Sequence, residues 1–445
     1  KLIYTVDCGT LSFEAIDYAK KKNVDVIVLD HHQSEVDLPK AHSVINPNRI
    51  DDESKLNYLC AAGVCFMFLV GLNKKLREES WFKKNAIIEP NLLNYLDLVS
   101  LGTVCDVVPL IGLNRALVKQ GLKIIRRKTN LGLKTLFEIC KIESNPSPYH
   151  LGYMLGPRIN AGGRVGKCSH GANLLINNNA KETFKIACEL DAFNKERQFL
   201  EADLLKKILN INYNNSTDPV LILNGEGWHE GVIGIIASRI KEKFNKPTII
   251  ISTKRGIGKG SARSILGFDI GSVILSAVNS KILTKGGGHK MAGGFTLEVD
   301  KINKFKDFVI KKFNLINLNL THQKNYYFDS EIAPSALNII FFNKIDLLSP
   351  FGSGNSEPRF TINNLKLIKS TIVGEKHIKS IFIGSDDSRV KTIAFNVIDS
   401  DVGQYLLNKS KNLYNIAGKM SLNEWRGQRN VEFIIDDISV NKVTK

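Results

Sequence analysis

At 445 residues the chain exceeds one ordinary hydrophobic core and should divide into about two to four domains. Its 43% hydrophobic and 24% charged content excludes a disordered chain, and its longest apolar run, Cys60 to Leu72, is shorter than the roughly 20 residues of a membrane-spanning helix. A formal charge of +17 points toward a polyanionic partner, although a Lys-, Asn- and Ile-rich composition also arises from AT-rich coding.

In chain order, Leu2 to Val6 and Val24 to Leu29 are short β-branched runs around a helix-like Ser12 to Lys22, with Ser12 placed to cap it. This predicts a β-α-β unit of a parallel sheet, with Asp7 and Asp30 just beyond the carboxyl ends of its strands, where ligands of such sheets bind. Cys60 to Leu72 is expected to be a buried helix within a helical pattern from Asn57 to Lys75. A second pattern, Asn91 to Leu101, leads into the turn carrying Asp106 and Pro109. Lys181 to Asn210 reads as one long helix of about 45 Å at about 1.5 Å per residue. Pro219 to Leu223 and Pro247 to Ser252 read as strands flanking a helix from Gly231 to Phe244, and glycine-rich segments follow at Gly256 to Gly267 and Gly286 to Gly294. From Tyr326 onward, short alternating runs at His377 to Ile383, Val390 to Val397, Leu413 to Ser421 and Val431 to Ile435 predict a small antiparallel barrel.

Seven cysteines, an odd number with no CxxC pair, predict reduced thiols in a cytoplasmic protein and no structural zinc site. No signal peptide is visible, and the missing initiating Met suggests that the natural N-terminus lies upstream of Lys1. Two imidazoles and a carboxylate at Asp30-His31-His32, ending a buried strand, are costly there unless metal or hydrogen bonds satisfy them. Together with Asp7 and Asp106 they form a mixed His and carboxylate set without thiolates, suited to two Mn²⁺ or Mg²⁺ ions, which can activate water for attack on a phosphodiester.

TVDCG, VLDHH and SLGTVCDVVPL resemble successive metal-binding motifs of the DHH phosphoesterases in their RecJ form. The resemblance continues through GPRINAGGR (Gly156 to Arg164), GWHEGVIGIIASR, KGSARS, GGGHKMAGG and PFGSGNSEPRF, over nearly the whole chain. It implies an α/β architecture: a parallel-sheet DHH domain (1–178), a long connecting helix (179–213), a smaller α/β DHHA1 domain (214–320) and a C-terminal OB-fold (325–445), with the strand threading between the first two lobes. It implies ligation by Asp7, bridging both ions, and by His31 and Asp106. His32 would be a ligand or phosphate contact, and Asp30 would orient an imidazole. Arg158, Asn160, Arg164, Ser261, Arg263, Ser264, Gly287, Gly288 and His289 would hold the substrate, with Ser261, Arg263 and Ser264 suited to a 5′-terminal phosphate and GGGHKMAGG acting as an anion-binding loop. His229 is left open between structure and substrate. In the barrel, Trp425, Arg426 and Arg429 are candidates for the nucleic acid, and Phe395 is assigned to the core.

The implied activity is processive 5′-to-3′ hydrolysis of single-stranded DNA in recombination and repair, by a monomer, with a single-strand-binding protein and a helicase as partners and no membrane. The family's first motif, Asp-x-Asp on a preceding strand, has no counterpart in this sequence, so the chain alone is expected to bind metal weakly. Two alternatives share these residues: a DHH–DHHA1 phosphodiesterase acting on short RNA or cyclic dinucleotides, which usually lacks the GPRINAGGR run and the OB extension, and a non-catalytic DNA-binding scaffold.

Overall fold

The computed structural model describes residues 1–210, 218–316, 325–408, 412–425 and 428–441. Their contacts form two units. One joins Lys1–Arg127, Asn145–Gly152 and Gln323–Lys445, the other Lys128–Ser144 and Tyr153–His322.

The first unit begins with three parallel strands, β1 (Leu2–Val6), β2 (Asp25–Leu29) and β3 (Ser43–Ile45), in the order β1-β2-β3, with α1 (Phe13–Lys21) crossing between the first two. Val6 pairs with Leu29 and Leu29 with Ile45, so the carboxyl ends of all three strands lie level. Ser12 is the N-cap of α1, but its side chain makes no capping bond; the expected cap is one of position only. The central strand is largely buried, whereas Leu2, Ile3, Tyr4 and Val6 of β1 are exposed and its outer edge has no strand partner among the described residues.

Helices follow at α2 (Ala61–Glu78), α3 (Trp81–Lys84), α4 (Leu96–Cys105) and α5 (Gly112–Arg126). The run Cys60 to Leu72 is only half buried: Val64 and Phe66 enter the core, while Leu69, Val70 and Leu72 face solvent. This corrects the expectation of a buried helix. Backbone contact between α4 and α5 requires glycine at 121, where a Cβ would lie 2.1 Å from the Leu96 carbonyl oxygen.

The second unit starts with α6 (Leu131–Ile139), α7 (Gly156–Val165), α8 (His170–Ile176) and α9 (Ala180–Asn210), the last a 31-residue helix. Then come β4 (Leu221–Glu226), α10 (Glu230–Phe244), β5 (Thr248–Lys254), β6 (Ile257–Arg263), α11 (Ile270–Asn279), β7 (Lys285–His289), β8 (Ala292–Glu298) and α12 (Ile302–Asn314). The sheet order is β4-β5-β6-β8-β7, with β4 and β5 parallel and the rest antiparallel. Ile249, Ile251, Phe268, Ile274, Phe295, Leu297 and Phe305 form its core between sheet and helices.

Two glycine-bearing motifs, one of them expected as a loop, are regular structure. GPRINAGGR is α7, and GGGH is β7, paired with β8 through Gly286↔Phe295, Gly287↔Gly294 and Gly288↔Gly293. Their glycines serve close packing: a Cβ at Gly288 would meet the Ala292 carbonyl oxygen at 2.4 Å, and one at Gly162 the Lys167 carbonyl oxygen at 2.8 Å.

The C-terminal part of the first unit contains β9 (Ser330–Glu331), α13 (Ile339–Asp346), β10 (Phe360–Val373), β11 (His377–Ile383), β12 (Arg389–Ala394), α14 (Asp401–Leu407), β13 (Leu413–Trp425) and β14 (Gln428–Asn441). Strands β10 to β14 close into a five-stranded barrel in which β10 pairs with both β11 and β13. The expected antiparallel barrel needs one correction, because β12 and β14 pair in parallel: the chain passes through α14 and β13 before returning beside β12. Phe395, assigned to the core from sequence, is 49% exposed and meets the His377 ring edge to face at 5.2 Å. Among the described residues no helix is long and apolar enough to cross a membrane.

Candidate metal centre and anion site

Asp7 follows β1 with a left-handed φ of 62°, and its backbone N–H donates to the Leu29 carbonyl at 3.0 Å. That turn carries its carboxylate over the end of β2, where Oδ1 lies 3.2 Å from His31 Nε2. The same nitrogen is 3.6 Å from Asp106 Oδ2, supplied by the end of α4. His31 Nδ1 contacts the Leu59 carbonyl at 3.1 Å, which fixes the ring with Nε2 toward both carboxylates. Donor atoms of Asp7, His31 and His32 all lie within 4.8 Å of one another.

Asp30 lies below this group, 2% exposed. It accepts from the backbone N–H groups of Thr10 (3.0 Å), His31 (2.8 Å) and His32 (3.3 Å), and its Oδ1 is 2.8 Å from His32 Nδ1. Burial by itself would raise its pKa, but the bonds from His32, Thr10 and His31 together hold the carboxylate well below its usual range. Asp106 behaves oppositely: burial and the negative charge of Asp7 raise its pKa against the pull of His31 and His32.

Two asparagines that the sequence reading missed hold the His-His backbone. Asn46, 3% exposed, donates from Nδ2 to Thr10 Oγ1 and the His32 carbonyl, both at 2.9 Å, and Asn48 Nδ2 donates to the His31 carbonyl at 2.6 Å. The signal for them was their place just past a third strand, the same rule that singled out Asp7 and Asp30.

The turn after Asp106 is braced from the barrel side of the same unit. The Leu110 N–H donates to the Ser353 carbonyl at 2.7 Å, and Arg115 Nη2 to the Leu348 carbonyl at 2.6 Å. Asn114 Nδ2 adds bonds to the carbonyls of Pro109 and Tyr58.

In the second unit the remaining expected residues separate into groups. Arg164 donates from Nη1 to the Gly231 carbonyl at 3.1 Å. Arg263 donates from Nη1 to Ser261 Oγ at 3.1 Å and to the Ala262 carbonyl at 2.8 Å. Loss of solvent, then the like charge of Arg197, lowers the Arg164 pKa, and loss of solvent, then Arg164, lowers that of Arg263. Two arginines within electrostatic reach of each other make a site that favours an anion. Gly287, Gly288 and His289 lie on β7, an edge strand that presents alternate backbone N–H groups away from β8. His229 is the N-cap of α10, its Nδ1 accepting from the Gly231 N–H at 3.1 Å.

Other candidates are occupied within the fold. Arg158 donates to Asp191 Oδ1 and to the Met154 carbonyl, both at 2.8 Å. Ser264 is 1% exposed with its hydroxyl on the Phe268 carbonyl. Asn160 is an exposed residue of α7. In the barrel only the backbone register is placed at this end, Glu424 opposite Arg429 and Trp425 opposite Gln428 in β13 and β14, and Arg426 lies outside the described residues.

The donor set of the first unit fits divalent ions bound by oxygen and nitrogen. His31 and His32 each commit Nδ1 to an oxygen, so Nε2 is the ring nitrogen each could offer a metal, and carboxylates of Asp7 and Asp106 flank the His31 ring. A phosphoesterase centre of the metal-dependent kind is what this geometry defines. Comparison with known proteins agrees: residues 1–103 match the N-terminal domain of the DHH family, 217–315 the DHHA1 domain and 328–437 the RecJ OB domain.

Proteins named single-stranded-DNA-specific exonuclease RecJ are 35% identical in Dickeya dadantii and 35% in Escherichia coli, each aligned over 98% of this chain and 77% of the relative. The crystal structure of RecJ in complex with Mn²⁺ from Thermus thermophilus superposes with a TM-score of 0.82 at 29% identity, over 99% of this chain and 62% of that one. The chain belongs to the RecJ family.

Proposed function

We propose that the chain is a single-stranded-DNA-specific exonuclease that hydrolyses phosphodiester bonds from the 5′ end with two divalent ions, Mn²⁺ or Mg²⁺. The convergence of Asp7, His31 and Asp106 on one point at the sheet's carboxyl end carries this reading. Bound there, the ions would supply an activated water and charge for the leaving oxygen. The residues of the chain do the rest. Asp7, His31, His32 and Asp106 would ligate, with Asp7 shared between the ions. Asp30 holds the His32 ring from below through its Nδ1, and Leu59 does the same for His31.

Arg164, Ser261, Arg263, Gly287, Gly288 and His289 are the proposed contacts to the strand's phosphates, the first and third as forked donors. Trp425, Arg426 and Arg429 are proposed nucleic-acid contacts of the barrel, a fold that binds single strands through basic and aromatic surface. Arg158 and Ser264 are left out, since both side chains are already engaged. A role in recombination and repair, action as a monomer in the cytoplasm, and a single-strand-binding protein and a helicase as partners belong to the same proposal. The relatives' names and the presence of both α7 and the barrel favour DNA over short RNA or cyclic dinucleotides.

The test is release of a 5′ label from single-stranded DNA with Mn²⁺. Asp106→Ala should lower the rate by about 10²–10³-fold, the range lost when a key catalytic electrostatic group is removed. Equal label release by both proteins would sink the metal assignment.

A further inference from the structure

An ion-pair network between α9 and α10 takes no part in the sites described so far. Glu201, 3% exposed, accepts at Oε2 from Arg197 Nη1 at 2.8 Å, and its Oε1 lies 2.5 Å from Arg239 Nε. Arg197 is itself buried and fixed by Asn194 Oδ1, through Nε at 3.2 Å and Nη2 at 2.9 Å. One carboxylate therefore serves two guanidinium groups. Arg197 and Glu201 both act electrostatically on Arg164, and Arg164 on Arg263.

Helix α10 sets the spacing. Its Gly231 carbonyl receives Arg164, and a Cβ at Gly234 would lie 3.0 Å from both Arg263 Nη2 and Ser261 Oγ, so this end of the helix borders the anion site. Arg239 stands five residues further, about 7.5 Å along the axis and roughly 140° around it, on the side that meets Glu201 of α9. Its side chain is 57% exposed while Nε is held by a buried carboxylate. An ion pair on the Nε side leaves a guanidinium's two terminal nitrogens as donors for a forked contact with a further anion.

We propose that Arg239 binds a second phosphate of the single strand, next along from the one at Arg164 and Arg263, and that Glu201 is the positioning residue that aims it. This rests on the strand-binding reading above. An extended chain of phosphates would supply the negative charge that one glutamate leaves unmatched among four arginines.

The experiment uses the full chain in EDTA, so that nothing is hydrolysed, and measures binding of a 5′-phosphorylated, 3′-fluorescent oligothymidylate by anisotropy across salt concentrations. Arg239→Gln should weaken binding roughly tenfold and reduce the slope of log K against log salt by about 0.7, the value of one phosphate contact on a single strand. Arg239→Lys should restore the slope but not the whole affinity, because a point charge replaces a fork. Glu201→Asp keeps the charge and shortens the tether, so affinity should fall with the slope retained, while thymidine 5′-monophosphate should compete equally well against native protein and Arg239→Gln. Arg239→Lys keeps a cation beside the buried Glu201 and should melt close to the native protein, whereas Arg239→Gln should melt lower and is compared at a temperature where both are folded. An unchanged slope for Arg239→Gln, with a reduced one for Arg263→Gln, would overturn this inference alone. Unchanged slopes for both would overturn the strand-binding reading with it.

Discussion

Asp7 adopts a left-handed backbone that costs a residue with a side chain on the order of 1 kcal/mol, and the turn it makes is what brings its carboxylate to His31. Val107, just after Asp106, does the same at φ 58°, which is less usual for a β-branched residue. Both strained positions adjoin proposed ligands. Arg158 shows the opposite case, a motif arginine absorbed by the fold. Its partner Asp191 is half-buried, and that loss of solvent would raise its pKa, but Lys195 and Arg158 outweigh this and hold it below the usual carboxylate range. A depressed acid stabilises the fold above its unfolded pKa of about 4, and that contribution is lost as pH falls through its folded value. Arg158→Ala should therefore cost about 2 kcal/mol in urea unfolding at pH 7, with the difference shrinking below about pH 4. A large loss of strand affinity without loss of stability would instead return Arg158 to the binding site.

At the scale of elements, strands and the acidic residues at their ends were legible where sequence pattern and position coincide. Leu2–Val6, His377–Ile383 and the long helix α9 fall where hydrophobic period places them, and Asp7 and Asp30 stand at strand ends. What escaped was set by tertiary contact. Strand β3 has three residues, too few for a period to show, so Asn46 and Asn48 beyond it went unread. The glycines of GGGH suggested a loop because backbone freedom and close strand packing leave the same mark in sequence. PFGSGN carried no mechanism at all as a sequence, yet the carbonyl of its Ser353 braces the turn after Asp106. There Gly354 has φ 68° and a Cβ would sit 2.9 Å from Pro109 Cβ. Gly354→Ala should lower stability by about 1–2 kcal/mol and weaken Mn²⁺ binding, measured by calorimetry, several-fold. A lowered melting temperature with native Mn²⁺ affinity would show the brace to be structural only.

Across the whole molecule, the proposed metal ligands all lie in one unit and the proposed phosphate contacts from α7, β6 and β7 all lie in the other. Each unit has its own core, so thermal unfolding should resolve into two transitions. Mn²⁺ should raise the one belonging to the first unit, and thymidine 5′-monophosphate the other, each by mass action on its own folded site. A single transition moved equally by both ligands in scanning calorimetry would contradict this division. The first unit is also discontinuous, and the contact between Leu110 and Ser353 joins segments made far apart in time. Roughly 250 residues separate Asp106 from that partner, which at about 5–20 residues per second is on the order of 12–50 s of translation. A ribosome-bound chain lacks the brace on its metal-site turn throughout that interval, so maturation of the nuclease centre waits on synthesis of the barrel.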